Sequence, residues 1–290
     1  MMPTESRRLE ETLSSTFGLQ FTVTDSNTGS GRMFTISPVV VHPHEGFKLE
    51  VLLDWRSVRA EFVPGPFARD LIEGMGSADD GARTAFQDIA GTLLSRKMSL
   101  AIRLNGVPVN PCDSTTWPSM WTSVGIEIRG HRFDRTIVDE ERDYREVLSV
   151  AEGALALVLA LAAEPDFKEV KEAVDLDVAG YPEGAVMQVR TNRYERDPRN
   201  RGLSIAAHGV RCAVCELSFE SLYGELGRGY IHVHHVVPVS QVGPDYRVNP
   251  VRDLIPVCPN CHSMLHRESP PMTVEGLRMR LDEQRRSSTQ

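Results

Sequence analysis

The sequence contains no apolar run long enough to cross a bilayer. The longest, 154–163, falls well short of the roughly 20 residues a spanning helix needs and reads as one buried helix. The opening residues, Met-Met-Pro-Thr-Glu-Ser-Arg-Arg, are polar and no apolar stretch follows them, so no secretory signal is expected. The expectation is a soluble, cytoplasmic protein with no membrane partner. Cysteine is scarce, five in 290 residues. Four of the five form two Cys-x-x-Cys pairs, Cys212/Cys215 and Cys258/Cys261. In a reducing compartment such pairs favour zinc over disulfides. Cys112, alone in a Pro-Cys-Asp context, reads as a structural or surface thiol. From residue 181 onwards there is no lysine.

Positive charge is also short, with a net charge of −8, until the chain is divided. Residues 181–290 carry 14 Arg against 12 Asp plus Glu, a net of +2, and the first 180 carry 18 basic and 28 acidic residues, a net of −10. The acidity belongs to the first part. Arginine as the sole basic residue suits phosphate contacts, because the guanidinium fork matches phosphate oxygens; a solvated mixed-charge surface is the plainer reading of so small a net charge.

The length allows two domains, each with its own core. An amphipathic helix is expected at 6–17, followed by a turn-rich stretch at 25–31. Strands are expected at 33–41 and 47–55, joined through His42-Pro-His-Glu-Gly46; His42 and His44 read as loop decoration without a third ligand. Helices follow at 67–74 and 79–97, the latter opened by Asp79-Asp80, which suits the helix dipole. Strands at 99–104 and 121–129 flank an irregular loop at 108–118. A long helix at 139–164 is polar at its start and apolar at its end, which must be buried against the sheet or in a dimer contact. An acidic amphipathic stretch at 166–180 precedes Tyr181-Pro-Glu-Gly184, the expected hinge. The fold class is α+β: a mixed N-terminal domain over 1–180, then a second domain over 181–290.

The second domain opens with Arg190, Arg193, Arg196, Arg199 and Arg201, five arginines within twelve residues. Asp197 and Pro198 announce a helix that ends at Gly209. The arginines and the helix start are candidates for phosphate contacts; pairing with the acidic N-terminal domain is the alternative. The two-residue gap in each cysteine pair lets four thiolates close on one tetrahedral Zn²⁺. Between and after the pairs lie Tyr230-Ile-His-Val-His-His-Val-Val-Pro238 and Asp253-Leu-Ile-Pro-Val-Cys-Pro-Asn-Cys-His-Ser-Met-Leu-His266. His262 and His266, at i and i+4, share a helix face. His234 and His235, adjacent on an extended segment, point to opposite sides, so one can bind a metal while the other stays free as a base.

These residues resemble the HNH (ββα-metal) endonucleases, and within them the McrA-like restriction branch. The resemblance runs from about 193 to 267. It rests on Tyr223-Gly224-x-x-Gly227-x-Gly229, His234-His235, the Asp253-Leu-x-x-x-Cys turn and Cys-Pro-Asn-Cys-His-x-x-x-His. The asparagine that supplies the family's middle letter is replaced by Asp253, with Asn249 four residues earlier. The resemblance implies a ββα core with strands at 231–236 and 253–257 and a helix at 260–267. It implies His235 as general base, and His234, His262 and His266 around one divalent ion (Mg²⁺, Mn²⁺, Co²⁺ or Ni²⁺). Asp253 or Asn249 would hold the His235 loop, and the four cysteines would hold structural Zn²⁺. His232 shares a strand face with His234 but lies outside the motif, and reads as an ordinary strand residue. His208 reads as a helix C-terminal residue, and the segment 273–286 as a final helix.

The implied activity is hydrolysis of phosphodiester bonds in double-stranded DNA. Such nucleases often carry a separate specificity domain, and Trp55, Trp117 and Trp121 with the polar loop at 110–116 are candidates for a modified-base pocket; ordinary packing is the competing role for each tryptophan. Two rivals stand beside a modification-dependent restriction enzyme. One is an HNH nuclease whose N-terminal domain forms a homodimer or regulates. The other is a non-catalytic, zinc-stabilised DNA-binding protein.

Overall fold

The computed structural model describes residues 4–39, 41–130, 139–162, 198–237, 248–268 and 270–287. The acidic amphipathic stretch at 166–180, the expected hinge at 181–184 and the domain division at 180 lie outside them.

Helix α1 (Glu5–Phe17) is capped by the Thr4 hydroxyl, which accepts the Arg7 N–H. It turns Leu9, Leu13 and Phe17, fully buried, toward one face at i, i+4 and i+8. Strands β1 (Phe21–Thr28) and β2 (Gly31–Pro38) form a hairpin with Thr28 opposite Gly31. This corrects the turn-rich reading of 25–31: Asp25, Ser26 and Asn27 are strand residues on an exposed sheet edge. Next come β3 (Phe47–Leu53) and β4 (Val58–Pro64), then helices α2 (Arg69–Gly76) and α3 (Asp80–Ser95). Strands β5 (Ser99–Leu104), β6 (Val107–Val109) and β7 (Val124–Arg129) complete an antiparallel seven-stranded sheet in the order β1-β2-β3-β4-β7-β5-β6.

Helix α4 (Glu140–Leu161) starts on the Asp139 side-chain cap. At its apolar end Leu155, Ala156, Leu157 and Val158 are fully buried within this chain, in one core with Val51, Ala60, Phe86, Leu93 and Ile128. That end therefore packs against the chain's own sheet and helices and offers no exposed dimer face.

Helix α5 (Pro198–His208) belongs to two cores. Leu203 and Ala206 join the large N-terminal core. Ile205 joins a second, smaller one with Val214, Ile231, Val257, Leu265, Val274 and cysteines 212, 258 and 261. Gly202 is the point of closest approach to α1: a Cβ there would lie 2.5 Å from Phe17 Cδ1 and 2.9 Å from its Cα. The guanidinium of Arg96, at the end of α3, donates to Ala206 O (3.0 Å) and Ala207 O (2.9 Å). It thereby satisfies carbonyls that a helix C-terminus leaves open. Further bonds tie the units. Arg8 of α1 donates to Glu225 (2.7 Å), Glu141 of α4 accepts from Arg228 (2.5 Å), and Asp88 pairs with Arg252 (2.8 Å).

The second unit contains α6 (Phe219–Tyr223), the two-stranded antiparallel sheet β8 (His232–His235) and β9 (Leu254–Val257), α7 (Pro259–Leu265) and α8 (Val274–Ser287). Among the described residues no helix is long and apolar enough to cross a membrane.

Candidate active site

The site is built on the β8-β9 hairpin and the helix that leaves it. The register sets His232 opposite Val257, His234 opposite Ile255 and His235 opposite Leu254. Since side chains alternate along a strand, His232 and His234 share one face and His235 takes the other. Helix α7 begins where β9 ends, with Cys258 as N-cap and Pro259 in the first turn, where its missing N–H costs nothing. The helix carries His262, and His266 is its C-cap residue.

The sheet face and the helix face bring three imidazoles together. Each of His234, His262 and His266 offers a ring nitrogen, and these three atoms lie within 4.8 Å of one another. The ring centroids are 5.4 Å apart for His234 and His262, 5.1 Å for His234 and His266, and 5.0 Å for His262 and His266. His234 is buried, His262 half-buried and His266 exposed, so the cluster has a floor and an open mouth. Three convergent imidazoles fit one divalent ion with coordination positions left for water or substrate. His235 stands beside it, half-buried on the opposite face of the strand.

The loop that returns to β9 is clasped at its base. Asp253 Oδ2 accepts the Asn249 N–H at 2.7 Å, and Asn249 Oδ1 accepts the N–H groups of Val251 (2.9 Å) and Arg252 (3.1 Å). The Val236 N–H donates to Asp253 O at 2.8 Å, extending the ladder by one bond just past His235.

Behind the hairpin the four cysteine sulfurs also lie within 4.8 Å of one another. The Cys215 and Cys258 sulfurs are 3.8 Å apart. Tetrahedral zinc with bonds of about 2.3 Å requires an S···S edge of about 3.8 Å, so the set fits Zn²⁺. Burial, helped by the Cys258 sulfur and the charge of Cys212, pushes the Cys261 thiol up. Burial alone would also raise Cys212, but the N–H donors around it, including those of Cys215 and Val214, bring it down. A dication held by the four sulfurs would let them ionise together. Gly227, in the approach to β8, passes against α6 so closely that a Cβ would lie 2.1 Å from Phe219 O. No other residue fits there.

Other expected site residues fall elsewhere. Arg201 is turned inward: its Nη2 donates to Gly229 O (3.4 Å) and Ile231 O (3.2 Å), and burial lowers its pKa. It braces the start of β8 and is not presented to a phosphate. Arg199 is half-buried on α5; Arg190, Arg193 and Arg196 lie outside the described residues. Trp117 and Trp121 are core residues, 7% and 2% exposed. They meet edge to face at 5.7 Å, with Phe86 against Trp117 at 5.3 Å, and their indole N–H groups donate to Asn110 O and Pro118 O. They pack in the core and do not wall the recess at Trp55, which corrects the expectation of one pocket shared by the three tryptophans. Trp55 is 63% exposed and walls a recess of about 710 Å³ with Asp54, Arg56, Lys97, Glu127 and Arg129. His208 reaches Val251 O at 2.6 Å. His232, read as an ordinary strand residue, lies with its Nδ1 3.1 Å from His262 Nδ1. The signal for it was the face it shares with His234.

Residues 212–268 match the HNH endonuclease family, and the chain therefore holds an HNH endonuclease domain, whose strands, helix and histidines are those just described. That domain is McrA-like. Over 89 residues, 29% of its length, the chain is 34% identical to the Type IV methyl-directed restriction enzyme EcoKMcrA of Escherichia coli (strain K12). The match covers 30% of that protein, so the chain spans about a third of the length of the curated relative it resembles. No solved structure matches.

Proposed function

We propose that the chain is a metal-dependent endonuclease that hydrolyses phosphodiester bonds in double-stranded DNA, and that it acts as a modification-dependent restriction enzyme. The observation that carries the reading is the convergence of the His234, His262 and His266 nitrogens within 4.8 Å, with His235 on the other face of the same strand. A divalent ion at the three imidazoles supplies positive charge where the attacked phosphate and its leaving oxygen become more negative. Nitrogen ligands favour Mn²⁺, Co²⁺ or Ni²⁺ over Mg²⁺. His235 accepts the proton of the attacking water, a task for which an imidazole's ordinary pKa is already suited. Asp253 and Asn249 keep the backbone beside His235 in register through the Asp253 to Val236 bond. Attack with the 3′ oxygen leaving gives 5′-phosphate and 3′-hydroxyl ends.

The division of labour we propose is recognition by residues 1–180 and cleavage by 181–290. Support for a modified-base reader comes from the recess at Trp55, where an exposed indole stands among Arg56, Lys97, Arg129, Asp54 and Glu127. Arg56 lies over one face of that indole, 3.8 Å from the ring centroid, so stacking of a base falls to the other face, with donors and acceptors beside it for the base edge. The relative's name, a methyl-directed restriction enzyme, points the same way.

Matched plasmids, unmodified, cytosine-methylated, hydroxymethylated and phosphorothioated, test the proposal with wild type and His235→Ala under Mg²⁺ and Mn²⁺. Cutting of one modified substrate, lost in His235→Ala, is the expected result. Equal cutting of all four removes the reader and keeps the nuclease. DNA binding without cutting under either metal, unchanged by His235→Ala, favours the non-catalytic zinc-stabilised binder.

A further inference from the structure

The contact between His232 and His262 lies outside the three-histidine cluster and has a specific chemical meaning. We infer that His232 is a positioning residue for the divalent ion: its Nδ1 accepts a hydrogen bond from His262 Nδ1, leaving His262 to bind the metal through Nε2. The inference rests on the metal-nuclease reading of the site.

Three observations carry it. The two Nδ1 atoms are 3.1 Å apart and the rings are perpendicular, with centroids 5.3 Å apart. Two imidazole nitrogens at this distance need one proton between them. A ring that ligates through Nε2 carries its proton on Nδ1, so ligation fixes His262 as donor and His232 as acceptor. Second, His232 does not join the group of nitrogens that lie within 4.8 Å of one another, which contains His234, His262 and His266. It stands behind a ligand and outside the coordination group. Third, His232 is itself held. Tyr230 meets it edge to face at 6.1 Å, Phe219 meets Tyr230 at 4.9 Å, and Tyr223 stacks on Phe219 at 5.9 Å. Register adds to this: β8 pairs His232 with Val257, immediately before the cysteine that caps α7. The aromatic row, the strand and the Cys258 turn together fix the acceptor relative to the helix that carries His262.

Ligand imidazoles generally give their second N–H to an oxygen acceptor, which fixes tautomer and ring orientation and raises ligand basicity. An imidazole acceptor performs the same task without adding negative charge beside the phosphate. Loss of such a partner typically weakens metal binding about 10- to 100-fold.

The test uses the full-length, zinc-loaded protein and Mn²⁺, which does not compete with Zn²⁺ for four thiolates. Mn²⁺ binding without DNA is measured by calorimetry, and the d–d spectrum is recorded with Co²⁺. His232→Ala is expected to weaken Mn²⁺ binding about 10- to 100-fold while zinc content and circular dichroism stay at wild-type values. His232→Asn, whose Oδ1 restores an acceptor near the position of Nδ1, is expected to recover most of the affinity. In a His262→Ala background, adding His232→Ala is expected to change nothing further, because the positioned ligand is gone. Wild-type affinity in His232→Ala overturns the inference. So does an equal further loss in the His262→Ala background, which makes His232 a ligand in its own right or a general structural residue. A change of the Co²⁺ spectrum in His232→Ala to that of a site with one nitrogen fewer also overturns it. Wild-type protein that binds no Mn²⁺ overturns the metal-site reading, and the inference with it. If His232→Ala loses zinc, His232→Asn and His232→Phe, both of which keep bulk on that strand face, decide the matter: Asn binds tightly and Phe weakly if the inference holds.

Discussion

The Arg201 guanidinium donates to the Ile231 carbonyl at 3.2 Å, one residue before the strand that carries the histidines. It thus joins α5, shared by both cores, to the frame of the candidate active site. Arg201→Ala is expected to lower stability by about 1–3 kcal/mol, since it leaves the carbonyls of buried Ile231 and half-buried Gly229 without this donor. The salt dependence of DNA binding should stay as in wild type, because losing a true phosphate contact reduces the slope of log K against log salt by about 0.9. Filter binding across a salt series, beside a thermal melt, separates the roles. A stable variant with a reduced slope returns Arg201 to the phosphate-binding set.

Asp253 and Asn249 hold one turn from both ends. Asp253→Ala should cost about 1–3 kcal/mol through the lost charge-assisted bond. It should also slow cleavage, because the backbone bond beside His235 then lacks its anchor. Mn²⁺ affinity should change little, since the three ligand histidines stand on the rest of β8 and on α7. Calorimetry with Mn²⁺ and a cleavage assay on one preparation check both halves; affinity falling in step with the rate would mean that the turn supports the metal cluster instead.

Much of the site was legible because its chemistry is local. Cys212/Cys215, Cys258/Cys261 and His262/His266 reach common points through spacings of three and four residues, and His234 and His235 diverge by strand alternation alone. Trp117 and Trp121 were not legible in the same way. An indole suits a base pocket and a core equally, and only the packing of Phe86 against Trp117 shows which applies. Arg201 failed for a related reason: five arginines look alike in sequence, and the one that bends back to Gly229 and Ile231 is chosen by tertiary contact. The β1-β2 hairpin was obscured because the outer half of β1 lies on a sheet edge with nothing to bury, so it carries polar residues that resemble a turn. Strand β4 does alternate, with Val58, Ala60 and Phe62 buried, and its signal was available. The double allegiance of α5 needs two cores in view at once, Leu203 and Ala206 facing one and Ile205 the other.

The second core is small and four of its members or close neighbours are the clustered cysteines that fit zinc. Metal binding should therefore supply folding free energy for this unit. Cys258→Ser is expected to release zinc and to remove hydrogen-exchange protection from Ile231, Val257 and Leu265. Ile36, Val51 and Ile128, in the large core, should keep theirs. Exchange measured by mass spectrometry on the full chain reads both regions together, and retained protection at Val257 in the zinc-free variant would count against a metal-dependent fold.

Glu152, on α4, has its carboxyl enclosed, and burial raises its pKa from 4.5 to about 7; the charge of Arg96 and a hydrogen bond from Thr16 oppose the rise without cancelling it. A raised folded-state pKa means that the native protein holds the proton more tightly than the unfolded chain. The associated stability is complete below about pH 4.5, declines as pH rises, and is gone above about pH 7. Arg96 is also the group that closes the C-terminus of α5, and the charge of Glu152 acts on that same guanidinium. Glu152→Gln keeps the shape and removes the charge. It should be more stable than wild type at pH 8, by an amount on the order of 3 kcal/mol, and should lose that advantage toward pH 4.5. Denaturant melts of both proteins at pH 5, 6.5 and 8 give the difference directly. An advantage that is constant with pH would mean that Glu152 does not titrate in this window and that Arg96 already neutralises it.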